Sequence, residues 1–252
     1  MNEDIKGKNI VITGASSGIG RQCAIACNKA GAIVHLMARN SEKLAEVSSF
    51  MEDGKYTLNS LDVTCSESIE SSIKSIVGSF GKIDGFIHSA GIQMTQPFHT
   101  MDKSHYLQIF DVNTFAAFDI SRYLVRKPYR SANGLSIVFI SSVLSTVGGA
   151  GVTSYCASKA ALVGGARSMA AELASRSVRV NCVSPGTIEN TEMIQELKTQ
   201  LNADEFHKII EQHPLGLGQT DDVAKLCIFL LSDDSRWITG QNLVIDGGYS
   251  AI

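Results

Sequence analysis

The sequence predicts an α/β fold, a single doubly wound parallel sheet with helices on both faces, and three observations carry that expectation. Short apolar runs rich in β-branched residues alternate with helical patterns along the whole chain. Strands separated by helices imply βαβ units, which close right-handed into a parallel sheet. The runs are nearly continuous in Val, Ile and Leu, as strands covered on both faces are. With 252 residues, 44% of them hydrophobic and 19% charged, the chain is long enough to bury one large core. No repeat, low-complexity tract or proline-rich linker marks a boundary, so residues 1–252 read as one domain.

The expected strands lie at 9–13, 33–38, 55–60, 83–88, 135–141, 178–183 and 242–245. Helical patterns fall between them near 18–30, 41–52, 66–79, 103–127, 153–175 and 220–231. The stretch from 186 to 218 breaks the rhythm, being polar with a few apolar residues such as Ile188, Met193, Ile194 and Leu197. It follows the sixth strand, and ligands of open α/β sheets bind beyond strand carboxyl ends. Residues 187–217 are therefore expected to form an irregular substrate lid, the alternative being a surface excursion.

Composition excludes several classes. A net charge of −3, from 22 basic and 25 acidic residues, leaves no footprint for nucleic acid or an anionic membrane. No segment reaches the roughly 18 consecutive apolar residues of a spanning helix. The first eight residues are polar and run directly into a strand, unlike a signal peptide. The cysteines are scattered. Cys23 and Cys27, four apart on a helix, suit buried filler better than a metal, so no metal is expected. These features imply a cytoplasmic protein with reduced thiols.

The first strand opens into Thr13-Gly14-Ala15-Ser16-Ser17-Gly18-Ile19-Gly20 and then a helix. Such a turn lets backbone approach a pyrophosphate, and the helix N-terminus supplies free N–H groups and a positive dipole end. The second strand ends in Ala38-Arg39-Asn40, with an arginine where an acid would hold a ribose 2′-hydroxyl. A guanidinium suits a phosphate, so NADP is preferred over NAD, unless Arg39 is merely a solvated surface residue. After the third strand, Asp62 and Val63 are placed to meet an adenine, although an aspartate there also suits a helix cap. His88-Ser89-Ala90-Gly91 closes the fourth strand. His88 reads as structural, while Ala90 and Gly91 are small enough for a cofactor to pass.

Ser142 precedes Tyr155 by thirteen residues, and Tyr155 and Lys159 share one face of a helix. A free phenol titrates near pH ~10, too high for efficient proton exchange at neutral pH. An adjacent ammonium, with a positive nicotinamide, is expected to lower that value. Tyr155 could then exchange a proton with a carbonyl or alcohol oxygen that Ser142 holds in place, while Lys159 binds ribose hydroxyls.

The Thr-Gly-x3-Gly-x-Gly turn and the Ser142–Tyr155–Lys159 set resemble the short-chain dehydrogenase/reductase family. So do the run from Val180 to Gly186 and the segment from Ile238 to Gly248. The resemblance spans essentially the whole chain. Within the family the sequence looks similar to 3-oxoacyl-carrier-protein reductases and to hydroxysteroid or polyol dehydrogenases. The resemblance implies a Rossmann-like fold and hydride transfer between a nicotinamide and a carbonyl or secondary alcohol. It further implies that Asn113 joins the catalytic set through a water-linked relay, and that Ile188, just past Pro185 and Gly186, meets the nicotinamide carboxamide.

Three motifs depart from the family pattern. His-Ser-Ala-Gly replaces Asn-Asn-Ala-Gly; Asn190 stands where a threonine is usual, with Thr191 next; and Ser17, not a basic residue, precedes Gly18. Relatives are commonly tetramers, and Ala157, Ala160, Ala161, Gly164, Gly165 and Ala166 form a small-residue surface compatible with a tetramer or dimer. The same residues would equally permit close packing on the sheet. The substrate pocket is expected from residues 92–97, 144–152 and 190–215. Two other readings are a catalytically silent NADP-binding sensor or scaffold and a sugar-nucleotide epimerase or dehydratase. The intact Asn113, Ser142, Tyr155 and Lys159 argue against the first, and the absence of an extra C-terminal substrate domain against the second.

Overall fold

The computed structural model describes residues 5–252. Seven strands form one sheet: β1 (Asn9–Thr13), β2 (Ile33–Ala38), β3 (Tyr56–Ser60), β4 (Gly85–His88), β5 (Leu135–Ile140), β6 (Val178–Pro185) and β7 (Asn242–Ile245). Their order is β3-β2-β1-β4-β5-β6-β7, and every neighbouring pair is parallel. The helices are α1 (Gly18–Lys29), α2 (Ser41–Ser48), α3 (Ser66–Phe80), α4 (Lys103–Phe110), α5 (Ala116–Leu124), α6 (Thr153–Leu173), α7 (Glu192–Gln200), α8 (Ala203–Glu211) and α9 (Thr220–Leu231). This is the doubly wound sheet that the alternation of patterns predicts.

Side chains alternate across each strand, so the sheet builds two cores. Ile10 and Ile12 of β1 enter one, with Cys23, Ala24 and Cys27 of α1, Leu44 and Val47 of α2, and Val223 and Cys227 of α9. Val11 enters the other, with Ile69 and Ile73 of α3, Ile120 and Leu124 of α5, and Leu162 and Ala166 of α6. Cys23 and Cys27 thus pack as small apolar filler. Among the described residues, no helix is long and apolar enough to cross a membrane.

Strand order reverses between β1 and β4. The chain leaves β3 at one flank and returns on the far side of β1, which opens a crevice outside the carboxyl ends of these two strands. The amino ends carry a different chemistry. Asn9 N–H donates to Asp84 at 2.9 Å, and Ser136 Oγ donates to Leu230 O at 2.7 Å. Arg179 donates to Leu230 O at 2.7 Å and Ser232 O at 3.1 Å.

Two expected elements differ. The single helix expected over 103–127 is broken by a π-turn, Asp111–Phe115, in which Ala116 N–H reaches back to Asp111 O. The wider turn carries Asn113 and Thr114 inward, where both are buried. Partners on α6 compensate: Thr114 Oγ1 donates to Ser158 O at 3.0 Å, and Asn113 Nδ2 donates to Ser158 Oγ at 3.0 Å. The segment 187–217 is not irregular. Thr191 accepts from Ile194 N–H to start α7, and Asn202 with Glu205 forms a reciprocal capping box at the start of α8.

Candidate active site

The turn after β1 sits against the end of β4. Gly14 has φ +64°, and a Cβ there would lie 2.7 Å from Ala90 N, so only glycine permits this approach. Ser17 is the N-cap of α1, yet its side chain makes no cap hydrogen bond, and the first turn of α1 contains no acid. Ser16, Ser17, Gly18 and Ile19 are partly accessible at this helix end, while Gly20 is buried against Gly14 O.

Arg39 and Asn40 lie exposed beyond β2. Asn40 caps α2, its Oδ1 accepting from Lys43 N–H at 2.9 Å. Asp62, beyond β3, accepts from Thr64 N–H at 2.9 Å and Thr64 Oγ1 at 2.8 Å. Those bonds hold its carboxyl below the usual range, with Arg39 adding a smaller pull. Asp62 therefore shapes the approach to α3, and Val63 is buried in the core beneath it.

His88 is buried. Its Nε2 lies 3.2 Å from Val112 O, which can only accept, so Nε2 carries the proton. Nδ1 then accepts from Thr13 Oγ1 at 3.0 Å, and Thr13 Oγ1 in turn accepts from Ala90 N–H at 3.3 Å. Burial pushes the imidazole down to about 3. The ring is a neutral brace between the glycine turn and the π-turn, as the structural reading expects.

Asn113 lies where that brace ends. Its Oδ1 accepts from Ile92 N–H at 2.8 Å, and its Nδ2 donates to Ile92 O at 3.0 Å. A Cβ on Gly91 would lie 3.2 Å from Lys159 Nζ and 3.3 Å from Asn113 Oδ1, so these three residues meet at one point. Lys159 Nζ donates to Ile140 O at 2.8 Å and lies 5.7 Å from the Tyr155 ring centroid. Ser142, just past β5, accepts from Leu144 N–H at 3.2 Å and is hydrogen-bonded to the Tyr155 hydroxyl.

The electrostatics correct one expectation. Burial pushes the Tyr155 phenol up to about 12, and the Ser142 bond offsets only part of that. The phenol stands above its ordinary value, not below it, because desolvation by burial outweighs the Ser142 bond. The same burial pushes Lys159 down to about 8.

Pro185 ends β6 and Gly186 follows it; Ile188 is buried two residues after Gly186, its side chain against Gly218. Asn190 and Thr191 are placed differently. Asn190 adopts φ +62°, a left-handed conformation that asparagine tolerates, and is exposed. That single reversed residue brings Thr191 over the glycine turn, its Cγ2 3.6 Å from where a Gly18 Cβ would be. Lys43 and Glu192 were not anticipated by sequence reasoning. Glu192 accepts from Lys43 Nζ at 2.5 Å and is hydrogen-bonded to Ser17, tying α7 across the crevice. No local pattern joins residues so far apart in sequence.

Comparison with known proteins fits this geometry. The family described as Enoyl-(Acyl carrier protein) reductase matches residues 14–250. The chain is 36% identical to the 3-oxoacyl-[acyl-carrier-protein] reductase of Haemophilus influenzae over 247 residues, 97% of this chain and 98% of that protein. With the same enzyme of Thermotoga maritima it shares 35% identity over equal coverage. A solved short-chain type dehydrogenase/reductase from Mycobacterium marinum superposes with a TM-score of 0.88 at 32% identity, covering 99% of this chain and 98% of that one. The chain belongs to the short-chain dehydrogenase/reductase family. As a member it is an oxidoreductase that transfers hydride between a nicotinamide dinucleotide and CH–OH or C=O groups.

Proposed function

We propose that this oxidoreductase uses NADP to reduce a carbonyl, or to oxidise the matching secondary alcohol, with Tyr155 as proton donor and acceptor. The observation that carries the proposal is a buried phenol hydrogen-bonded to Ser142, with Lys159, Asn113 and Gly91 converging beside it. The cofactor fits the residues present. A helix end with no acid in its first turn suits a pyrophosphate, and exposed Arg39 suits a 2′-phosphate. Gly14, Ser16, Ser17, Gly18, Ile19 and Gly20 would hold the pyrophosphate side. Arg39, Asn40, Asp62 and Val63 would hold the adenosine side. Ala90, Gly91, Asn113, Tyr155, Lys159, Pro185, Gly186 and Ile188 would hold the nicotinamide half.

When bound, the nicotinamide supplies the hydride and, once oxidised, a positive charge. The chain supplies the rest. Ser142 and Tyr155 hold the substrate oxygen, and the Tyr155 O–H gives up its proton as that oxygen becomes an alkoxide. The buried phenol is protonated at neutral pH, as a donor must be, and the positive charges of Lys159 and of a bound nicotinamide would offset the burial that weakens it as an acid. Lys159 carries charge at pH 7 and would restore the proton through Asn113 and water. The α7–α8 segment would cover the reacting carbon. The relatives' named activity makes 3-oxoacyl thioesters the first substrates to try.

A homo-oligomer, dimer or tetramer, active in the cytoplasm, completes the proposal. Its support is an apolar groove of Met101, Tyr106, Leu107, Phe110, Phe115 and Ala157 beside exposed Ala160 and Gly164. Ala166, by contrast, is buried in the sheet core and Gly165 packs on Phe118, so only part of the small-residue run is available to a partner.

The test is NADPH oxidation across a panel of acyl thioesters, steroid ketones and sugars. Tyr155→Phe is expected to lower kcat by about a hundredfold or more with NADPH affinity within a few-fold of wild type. Substantial residual turnover would refute the proton-donor role. Arg39→Ala is expected to weaken NADPH about tenfold and NADH little, read by fluorescence titration of both nucleotides. Equal losses for the two would remove Arg39 from the phosphate site.

A further inference from the structure

The lid has few buried anchors. Among the described residues between Glu189 and Leu215, only Ile194 and His213 are buried. His213 follows the end of α8. Its Nδ1 lies 2.8 Å from Ile209 O, an acceptor, so Nδ1 carries the proton. Its Nε2 accepts from the N–H of Thr187 at 3.2 Å. The ring stacks on Tyr249 with centroids 4.9 Å apart, and Leu215 N–H donates to Gly247 O at 3.0 Å. One neutral imidazole thus ties the last turn of α8 to the backbone between Gly186 and Ile188, with the C-terminal turn as its backing.

We infer that His213 is a positioning residue for the nicotinamide half of the cofactor site, holding the 186–188 backbone in place from the lid side. The inference rests on the dinucleotide reading given above. Both ring nitrogens are committed to backbone partners on different segments, one as donor and one as acceptor. A side chain that merely filled the space would need neither bond. Thr187 N–H is the group at stake. Without its acceptor the loop bearing Ile188 loses its only hydrogen bond to the ring, while the glycine turn and Arg39, just beyond β1 and β2, are untouched. His213 therefore acts on one end of the cofactor and not on the other.

The experiment uses the full chain and two binding probes, NADPH and 2′-phospho-ADP-ribose, which lacks the nicotinamide. In His213→Asn the amide can replace the Nδ1 donor to Ile209 O but is too short to reach Thr187. In His213→Gln the longer side chain can place an oxygen near the lost Nε2. His213→Asn is expected to weaken NADPH about tenfold and the fragment less than twofold. His213→Gln is expected to recover most of the NADPH affinity. Should His213→Asn fail to fold, His213→Met, similar in bulk without an acceptor, makes the same comparison with His213→Gln.

Unchanged NADPH binding in His213→Asn overturns the inference, as does equal weakening of both probes or failure of His213→Gln to rescue. A wild-type protein that binds neither probe overturns the dinucleotide reading itself. A wild-type protein that binds both, with variants indistinguishable from it, overturns the role of His213 alone.

Discussion

At the scale of single residues, burial governs the titratable groups. Tyr155 and Lys159 are each placed where the charged form is disfavoured, which leaves a protonated phenol beside a lysine that still carries charge at neutral pH. The buried histidines follow the same rule. His35, bonded to Thr57 Oγ1 at 2.9 Å and Asn9 Oδ1 at 3.3 Å, is pushed down to about 4, and His88 to about 3. Both are depressed from an ordinary value near ~6.5. Above that pH neither state binds the extra proton and the stability is fully present. Below it the unfolded chain takes up two protons that the folded chain refuses, so stability falls as pH drops towards 4. Each ring adds a slope of about 1.4 kcal/mol per pH unit in that window. Urea unfolding between pH 7 and 4.5 is expected to show this loss, and His88→Asn to flatten the slope by about half. An unchanged slope would mean that His88 is not held neutral.

At the scale of elements, the strands and the helices that cover them were legible because their signal is local. Continuous Val and Ile runs mark β1, β2 and β5, and the glycine turn marks the passage from β1 to α1. The break in the helix expected over 103–127 was not legible, because a π-turn leaves the hydrophobic period almost intact. What decides it is the bonding of Asn113 and Thr114 to Ser158, forty-four residues or more away in sequence. Helices α7 and α8 had a readable signal that composition concealed. Asn202-Ala203-Asp204-Glu205 is a capping-box pattern, and Thr191 a fair N-cap, but their faces are only half-buried and polar overall. Ser142, Tyr155 and Lys159 could be named from spacing alone. Lys43, Glu192 and His213 could not, since each acquires its meaning from a partner on another element.

At the scale of the whole molecule, the α4 and α6 surface carries the proposed contact between copies. Leu107 and Phe115 remain 45% and 49% exposed beside the small residues of α6, an apolar area that a second copy would cover. Leu107→Arg is expected to lower the mass measured by light scattering to that of a smaller assembly, while the far-ultraviolet circular dichroism stays as in wild type. A wild-type protein that is monomeric at all concentrations would refute the contact. The sheet also divides its labour between its two ends. Asp84, Ser136 and Arg179 lace one rim together through backbone partners, and that rim fixes the frame. The candidate catalytic side chains gather at the opposite rim, where the loops after β4, β5 and β6 leave the frame. Retooling this protein for a different ketone is therefore a matter of rewriting loops along one border, with the scaffold carried over unaltered.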